Sequence, residues 1–340
     1  MKKSMLLLFG LLLLLVGCHS GDTLSRETRE LMGTEVTVMI WEQQSQNKGK
    51  QGIDAAFDEI ARIDSVFSNY KPESPISQIN RAAGKNAVKI DAEVMAMLQK
   101  AKEYAAESGG VFDITYASAG KLYDWKAKTH VIPDEATVKA AMARVGIEKL
   151  VLDSEAMTAR LAEEGDRIDV GGYIKGYAVD RAAMKLRELG FSDFIVNAGG
   201  DMYVAGHKGK KSWKIGIRDP RGARDDLLAT LSVKDKAVVT SGDYERFFMK
   251  DGVRYHHIID TRTGRPAMAS RSVTVIADSC MNADYLSTTV FILGAQAGIE
   301  LIEKKYPGAE AMVIDSDGKW HFSEHFKSVG DFELVENGKE

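Results

Sequence analysis

Two glycine pairs bracket a single helix–strand unit in residues 168–201, IDVGGYIKGYAVDRAAMKLRELGFSDFIVNAGGD, and an acid stands beside each pair. Asp169 ends a short apolar run just ahead of Gly171 and Gly172, and Asp201 follows Gly199 and Gly200. Between the pairs, Ala178, Val179, Ala182, Ala183, Leu186 and Leu189 recur at i, i+3, i+4 spacing, which predicts an amphipathic helix. Gly190 stops it, as a glycine just past the last periodic residue does. Phe194, Ile195 and Val196 then predict a buried strand. A lone glycine pair marks only a turn. Two acid-and-glycine junctions around one helix constrain more. Bare backbone lets a ligand come close, and the N–H groups opening a helix favour anions. The pattern points to a phosphate and metal site.

Around this unit the chain mixes helices and strands without strict alternation. A strand is predicted at 35–41, then a helix with Ile53, Phe57, Ile60, Ile63, Val66 and Phe67 on its apolar face. Residues 70–80 read as loop. Asp91 is placed to cap a second helix that buries Val94, Leu98, Ala101 and Tyr104 and ends before Gly109 and Gly110. A helix follows at 134–145 and a hairpin at 150–161. Beyond Asp201 strands are expected at 213–217, 227–233, 237–240, 246–249, 255–259 and 272–276. Helices at 281–293 and 295–306 and a strand at 311–314 close the chain. The fold class is α+β, with mostly antiparallel sheets packed against helices.

The N-terminus is a separate matter. Lys2 and Lys3 precede an apolar run at 5–16 that is too short to span a bilayer and right for a signal segment. Leu15-Val16-Gly17-Cys18 looks like a bacterial lipobox, in which cleavage falls before a cysteine that is then lipidated. Residues 1–17 are thus expected to be a lipoprotein signal peptide, residues 18–30 a polar tether, and residues 31–340 the folded domain. Without 1–17 the chain carries 43 basic and 49 acidic side chains, a formal charge of −6. No basic stripe with interleaved aromatics appears, so no nucleic-acid partner is expected. Only Cys280 remains besides Cys18, and stability has to come from an apolar core rather than a disulfide.

Three stretches could carry chemistry. In Asn282-Ala283-Asp284-Tyr285-Leu286-Ser287-Thr288, Asp284 and Thr288 lie four apart on a predicted helix, so both side chains leave one face. A carboxylate and a hydroxyl so placed are two hard oxygen ligands of the kind Mg2+ takes, usually completed by water and substrate phosphates. The same residues could equally be a helix cap and a back-bonded threonine. Thr240-Ser241-Gly242-Asp243-Tyr244 runs from a strand into a glycine turn. Tyr255-His256-His257-Ile258-Ile259-Asp260 pairs two histidines whose side chains, on a strand, point to opposite faces, so one at most reaches a site. A single inward histidine suits a general base near neutral pH.

These stretches, with Met32-Gly33-Thr34, Ser68-Asn69-Tyr70, Phe112-Asp113-Ile114-Thr115, Ile168-Asp169-Val170-Gly171-Gly172, Lys175-Gly176-Tyr177-Ala178, Asn197-Ala198-Gly199-Gly200 and Thr263-Gly264, resemble in order the motifs of the ApbE family, the FAD:protein FMN transferases. The resemblance covers essentially all of the chain after its N-terminal segment. It implies an α+β fold related to the T-fold, with FAD in a cleft between the halves. It implies Mg2+ on Asp284, Thr288 and the Gly172 carbonyl. FAD contacts would come from Met32, Tyr70, Val111, Phe112, Asp113, Asp169, Lys175, Ser241, Gly242 and Ile258. His257 would act as base and Asp284 as the essential metal ligand. The implied reaction moves FMN from FAD to a threonine of a membrane flavoprotein, a subunit of a sodium-pumping or electron-transporting (Rnf-type) redox complex, and releases AMP. The lipid anchor at Cys18 would hold the enzyme on the periplasmic side of the cytoplasmic membrane. Where the family usually continues Val-Gly-Pro and later carries a tryptophan, this chain has Tyr116-Ala117-Ser118 and Tyr123.

Overall fold

The computed structural model describes residues 22–43, 48–125, 127 and 129–335. Residues 1–17, expected to be a signal segment, and Cys18 lie outside them. At its centre is an eight-stranded antiparallel sheet whose spatial order follows the chain: Asp22–Leu31, Thr34–Gln43, Phe194–Ala198, Asp201–Ala205, Lys236–Gly242, Ser270–Ala277, Glu310–Asp315 and Trp320–Phe322.

Both faces of the central strands are covered, and the period-2 alternation of their side chains shows it. Phe194, Val196, Ala237, Val239, Val273, Val275, Ala311 and Val313 enter one core. There they meet the apolar faces of the helices Gly49–Phe67, Ile174–Glu188, Cys280–Leu293 and Ala295–Lys305. Ile195, Val238, Ile276, Met312 and Ile314 point the other way. They pack against Trp213, Ile215, Leu231 and Val233 of a small sheet formed by Trp213–Arg218, Leu227–Val233 and Asp331–Leu334, with Phe326 between. Burying one such aliphatic side chain contributes about 1.5–3 kcal/mol, so two cores on one sheet hold its register firmly.

The structure departs from the sequence reading in four places. Residues 22–30, read there as tether, belong to an edge strand, Asp22–Leu31, that pairs along its whole length with Thr34–Gln43. Its residues are mostly polar, and its strand state rests on backbone pairing and on Glu27 and Arg29, which reach Lys50 and Asp54 of the first helix. Part of the supposed loop 70–80 is the helix Pro75–Arg81, capped by Ser74 Oγ, which accepts from Ser77 N at 3.0 Å, with proline opening it. The strand expected at 255–259 breaks into Val253–His256 and Ile259–Asp260. The break falls where the Ile258 N–H donates to the His256 ring (3.3 Å) instead of to a neighbouring strand. Asp201–Ala205 and the strands after Asp315 were not anticipated.

Candidate active site

The two glycine junctions and the helix carrying Asp284 and Thr288 meet at one place. Gly176, in the first turn of Ile174–Glu188, lies so close to the start of Cys280–Leu293 that an added Cβ would sit 2.3 Å from the Cys280 carbonyl oxygen. Only bare backbone fits there, and it lets Gly176 N donate to Asp284 Oδ2 at 3.1 Å. One turn on, Asp180 receives the other helix end. Its Oδ1 accepts from Cys280 N (2.8 Å), and its Oδ2 accepts from Met281 N (2.9 Å) and Ser279 Oγ (2.7 Å). A carboxylate at a helix N-terminus satisfies orphan N–H groups and meets the favourable end of the helix dipole.

Next to Gly176, the Lys175 ammonium pairs with Asp201 Oδ2 from the second glycine junction. Asp201 and Asp284 are both buried, at 2% and 3% exposure, and they neighbour each other. Two carboxylates therefore share one ammonium. Burial pushes the Asp284 carboxyl well above the usual carboxylate range, Asp201 adds to the shift, and Lys175 and the Gly176 N–H offset only part of it. Burial alone would lower Lys175, but the Asp201 and Asp284 charges outweigh it and hold the amine raised and protonated. The buried Cys280 thiol is likewise pushed up, by burial and by these acids. Thr288 lies one turn beyond Asp284. Its Oγ1 is 3.5 Å from Ser241 Oγ, which in turn lies 2.8 Å from Ser287 Oγ. Gly172 completes this wall: a Cβ there would be 3.0 Å from the Phe112 ring and 3.9 Å from Thr288 Oγ1.

The paired histidines divide as the strand alternation requires. His256 is buried; its Nε2 donates to the Ala267 carbonyl (2.7 Å) while its Nδ1 accepts from Ile258 N, which makes it a core residue in one tautomer. His257 faces the site. Its Nδ1 is buried without a hydrogen-bond partner among the described residues. Burial, then the charges of Arg246, His256 and Lys175, push its pKa down to about 3, so the imidazole is neutral.

Other residues singled out by the sequence form the surround. Asp169 accepts from Gly171 N at 2.8 Å, and burial raises its pKa against the pull of Asn69 and Arg246. Tyr116, at the departure from the family pattern, stands beside Asp169, Tyr70 and Arg246, and burial pushes its hydroxyl well up. Tyr70 is 82% exposed. Val111 and Phe112 are buried, and Thr261 Oγ1 donates to the Gly110 (2.8 Å) and Val111 (3.0 Å) carbonyls, tying this segment to the one after His257. Asp113 turns onto its own loop, accepting from Thr115 N and Oγ1 at 2.8 and 2.6 Å. Tyr123 donates to the Gly264 carbonyl at 3.3 Å. Gly242 leaves room for the Tyr244 ring, 2.3 Å from where its Cβ would be. Ile258 is buried. Met32, at φ 53° in the turn between the first two strands, packs partly on the core. Its hairpin adjoins the second glycine pair, since a Cβ on Gly199 would strike Thr34. Asp201, Asp180 and Arg246 were not among the site residues chosen from the sequence. Asp201 alone was signalled there, by the glycine pair before it.

The donors present fit a hard divalent cation. Among the described residues no three His, Cys, Asp or Glu side chains gather for a metal, so a cation here has to draw on mixed oxygens. A buried carboxylate, a hydroxyl one helical turn away and a glycine whose backbone is left open supply that mixture. A bound ion would favour the ionised form of Asp284, which burial and Asp201 otherwise oppose.

A profile described as the ApbE family matches residues 32–313. The chain is 31% identical over 302 residues to the FAD:protein FMN transferase of Treponema pallidum, covering 84% of this chain and 83% of that one. To the enzyme of the same name from Vibrio cholerae it is 29% identical over 325 residues, 93% and 96% of the two chains. Among solved structures it resembles the ApbE protein of Thermotoga maritima, with a TM-score of 0.82 and 32% identity over 90% of this chain and 99% of that one. The flavin transferase ApbE from Vibrio cholerae superposes with a TM-score of 0.79 and 26% identity, covering 91% and 99%. With the profile spanning most of its length and the glycine junctions, acids and histidine gathered at one site, the chain belongs to the ApbE family.

Proposed function

We propose that this protein is a FAD:protein FMN transferase, as its relatives are named. FAD is the donor, and a threonine hydroxyl of a partner protein attacks the FMN-side phosphorus. A new threonine oxygen–phosphorus bond forms as the bond to the bridging oxygen breaks, and AMP leaves with that oxygen. The observation that carries the reading is the buried cluster of Asp284, Asp201 and Lys175, with a neutral imidazole beside it whose buried Nδ1 has no hydrogen-bond partner among the described residues.

Asp284, Thr288 and the Gly172 carbonyl would hold Mg2+, which when bound neutralises the diphosphate and orients it for in-line attack. Lys175, fixed by Asp201, adds a positive charge at the same wall. The His257 imidazole accepts the threonine proton. Its basicity is low in the free protein because the ring is buried and because Arg246, His256 and Lys175 lie close to it. A bound diphosphate brings compensating negative charge and raises it toward the working range. The acceptor we infer is a membrane flavoprotein of a sodium-pumping or electron-transporting redox complex, reached from the periplasmic side of the cytoplasmic membrane by an enzyme anchored through Cys18. Among the described residues no helix is long and apolar enough to cross a membrane.

The test is to incubate the protein with FAD, Mg2+ and a candidate acceptor and to weigh the acceptor. A mass gain of one FMN group with release of AMP is expected. FMN and AMP free in solution, with no mass gain, would make the chain a FAD pyrophosphatase that uses water instead.

A further inference from the structure

Asp180 is four residues from Gly176 on one helix, and Cys280 is four residues from Asp284 on the other. The two helices are therefore joined by two rungs a turn apart, Gly176 with Asp284 and Asp180 with residues 279–281. The first rung is a single 3.1 Å bond made by a candidate metal ligand. The second is a carboxylate that takes three hydrogen bonds of 2.7–2.9 Å and touches neither Lys175 nor the ligands. Ser279 also caps its own helix by accepting from Asn282 N at 3.3 Å. The bare backbone at Gly176 allows the helices to approach but does not fix how far one slides along the other.

We propose that Asp180 is a positioning residue for the cation site: it sets the register of Cys280–Leu293 against Ile174–Glu188, so that the side chains of Asp284 and Thr288 meet the Gly172 backbone. Three oxygens from two elements converge only if that register holds. A shift of one helix by about 1 Å would cost the ion a ligand, since Mg2+-type sites demand near-ideal octahedral geometry at short distances. Outer groups that orient ligands in this way are typically worth about 10–100-fold in metal affinity. The inference rests on the metal reading of the site given above.

The experiment measures Mn2+ binding directly, by electron paramagnetic resonance of the free ion, on the whole protein without FAD or acceptor. It compares wild type, Asp180→Asn and Asp91→Ala. Asp91 is a control of the same kind, because it caps the helix Ala92–Glu107 by accepting from Val94 N at 2.8 Å and that helix carries none of the ligands. Both variants should lose several degrees of thermal midpoint. Only Asp180→Asn should weaken Mn2+, by about tenfold or more. Should Asp180→Asn fail to fold, Ser279→Ala strips one bond from the same rung, along with the cap bond to Asn282 N, and should weaken Mn2+ by roughly threefold. Wild-type Mn2+ affinity in the Asp180 or Ser279 variant overturns the proposal, and so does an equal loss in Asp91→Ala. Absence of Mn2+ binding in wild type overturns the metal reading itself, and the role of Asp180 with it.

Discussion

His257 allows a prediction in which stability and chemistry separate. In the folded protein its pKa is held at about 3, against 6.5 for a free histidine, because burial and the neighbouring cations oppose its charge. Above about pH 6.5 the ring is neutral both folded and unfolded, and it contributes nothing to the pH dependence of stability. Below that, the unfolded chain takes up a proton that the folded chain refuses. Stability is then lost progressively until the folded ring titrates near pH 3. At about pH 5 the loss from this one residue comes to about 2 kcal/mol. His257→Asn removes the titrating group, so the variant should gain that much relative to wild type between about pH 8 and pH 5. Urea unfolding of both proteins at the two pH values, followed by tryptophan fluorescence, measures it. Adding FAD should shrink the difference, because the diphosphate supports a charged ring. The transfer rate at neutral pH should meanwhile fall by about 10²-fold, toward the low end for general-base loss, since a loose phosphoryl transition state asks little of the base. Parallel pH profiles for the two proteins would refute the electrostatic reasoning. Undiminished transfer in His257→Asn would remove the base.

Asp284→Ala should reduce transfer below about a hundredth while leaving the free protein at least as stable, because it relieves one of two acids sharing Lys175; a large drop in thermal midpoint would contradict that charge count. Gly176→Ala should cost about 1–3 kcal/mol by urea unfolding, as its methyl would meet the Cys280 carbonyl and force the helices apart, outweighing the better helix propensity of alanine. Cys18→Ser should leave a folded protein in the soluble fraction of cells, and unchanged membrane fractionation would exclude the lipid anchor.

What the sequence made legible was local. The helix Ile174–Glu188 announces itself by its apolar period and by Gly190, and Asp91 by its place before a periodic run. Side-chain alternation already limited the histidine pair to one inward ring, and the resemblance named His257; the Ala267 carbonyl that holds His256 in the core is reached only through the fold. The edge strand Asp22–Leu31 was invisible because its stability lies in backbone pairing rather than in apolar pattern. Pro75–Arg81 was missed although Ser74 and Pro75 signal it, since so short a helix shows no period. Asp201 and Asp180 were hidden for a third reason: an acid that pairs with a lysine or caps a helix distant in sequence looks like any other acid until the two segments are side by side.

The strand order of the central sheet also governs when the site can exist. Neighbouring strands follow one another along the chain, but the chain leaves the sheet for long excursions between them, the longest from Gln43 to Phe194. That excursion delivers Gly172 and Lys175; the one after Gly242 delivers His257, and the one after Ala277 delivers Asp284 and Thr288. Each strand that rejoins the sheet must close its loop before any contact repays the entropy, and contacts so distant in sequence are made slowly. The first hairpin thus waits, one edge open, for a strand synthesised much later, and His257 and Asp284 reach Lys175 only when later excursions have closed. The candidate site therefore forms only once the sheet that gathers these segments has closed around it.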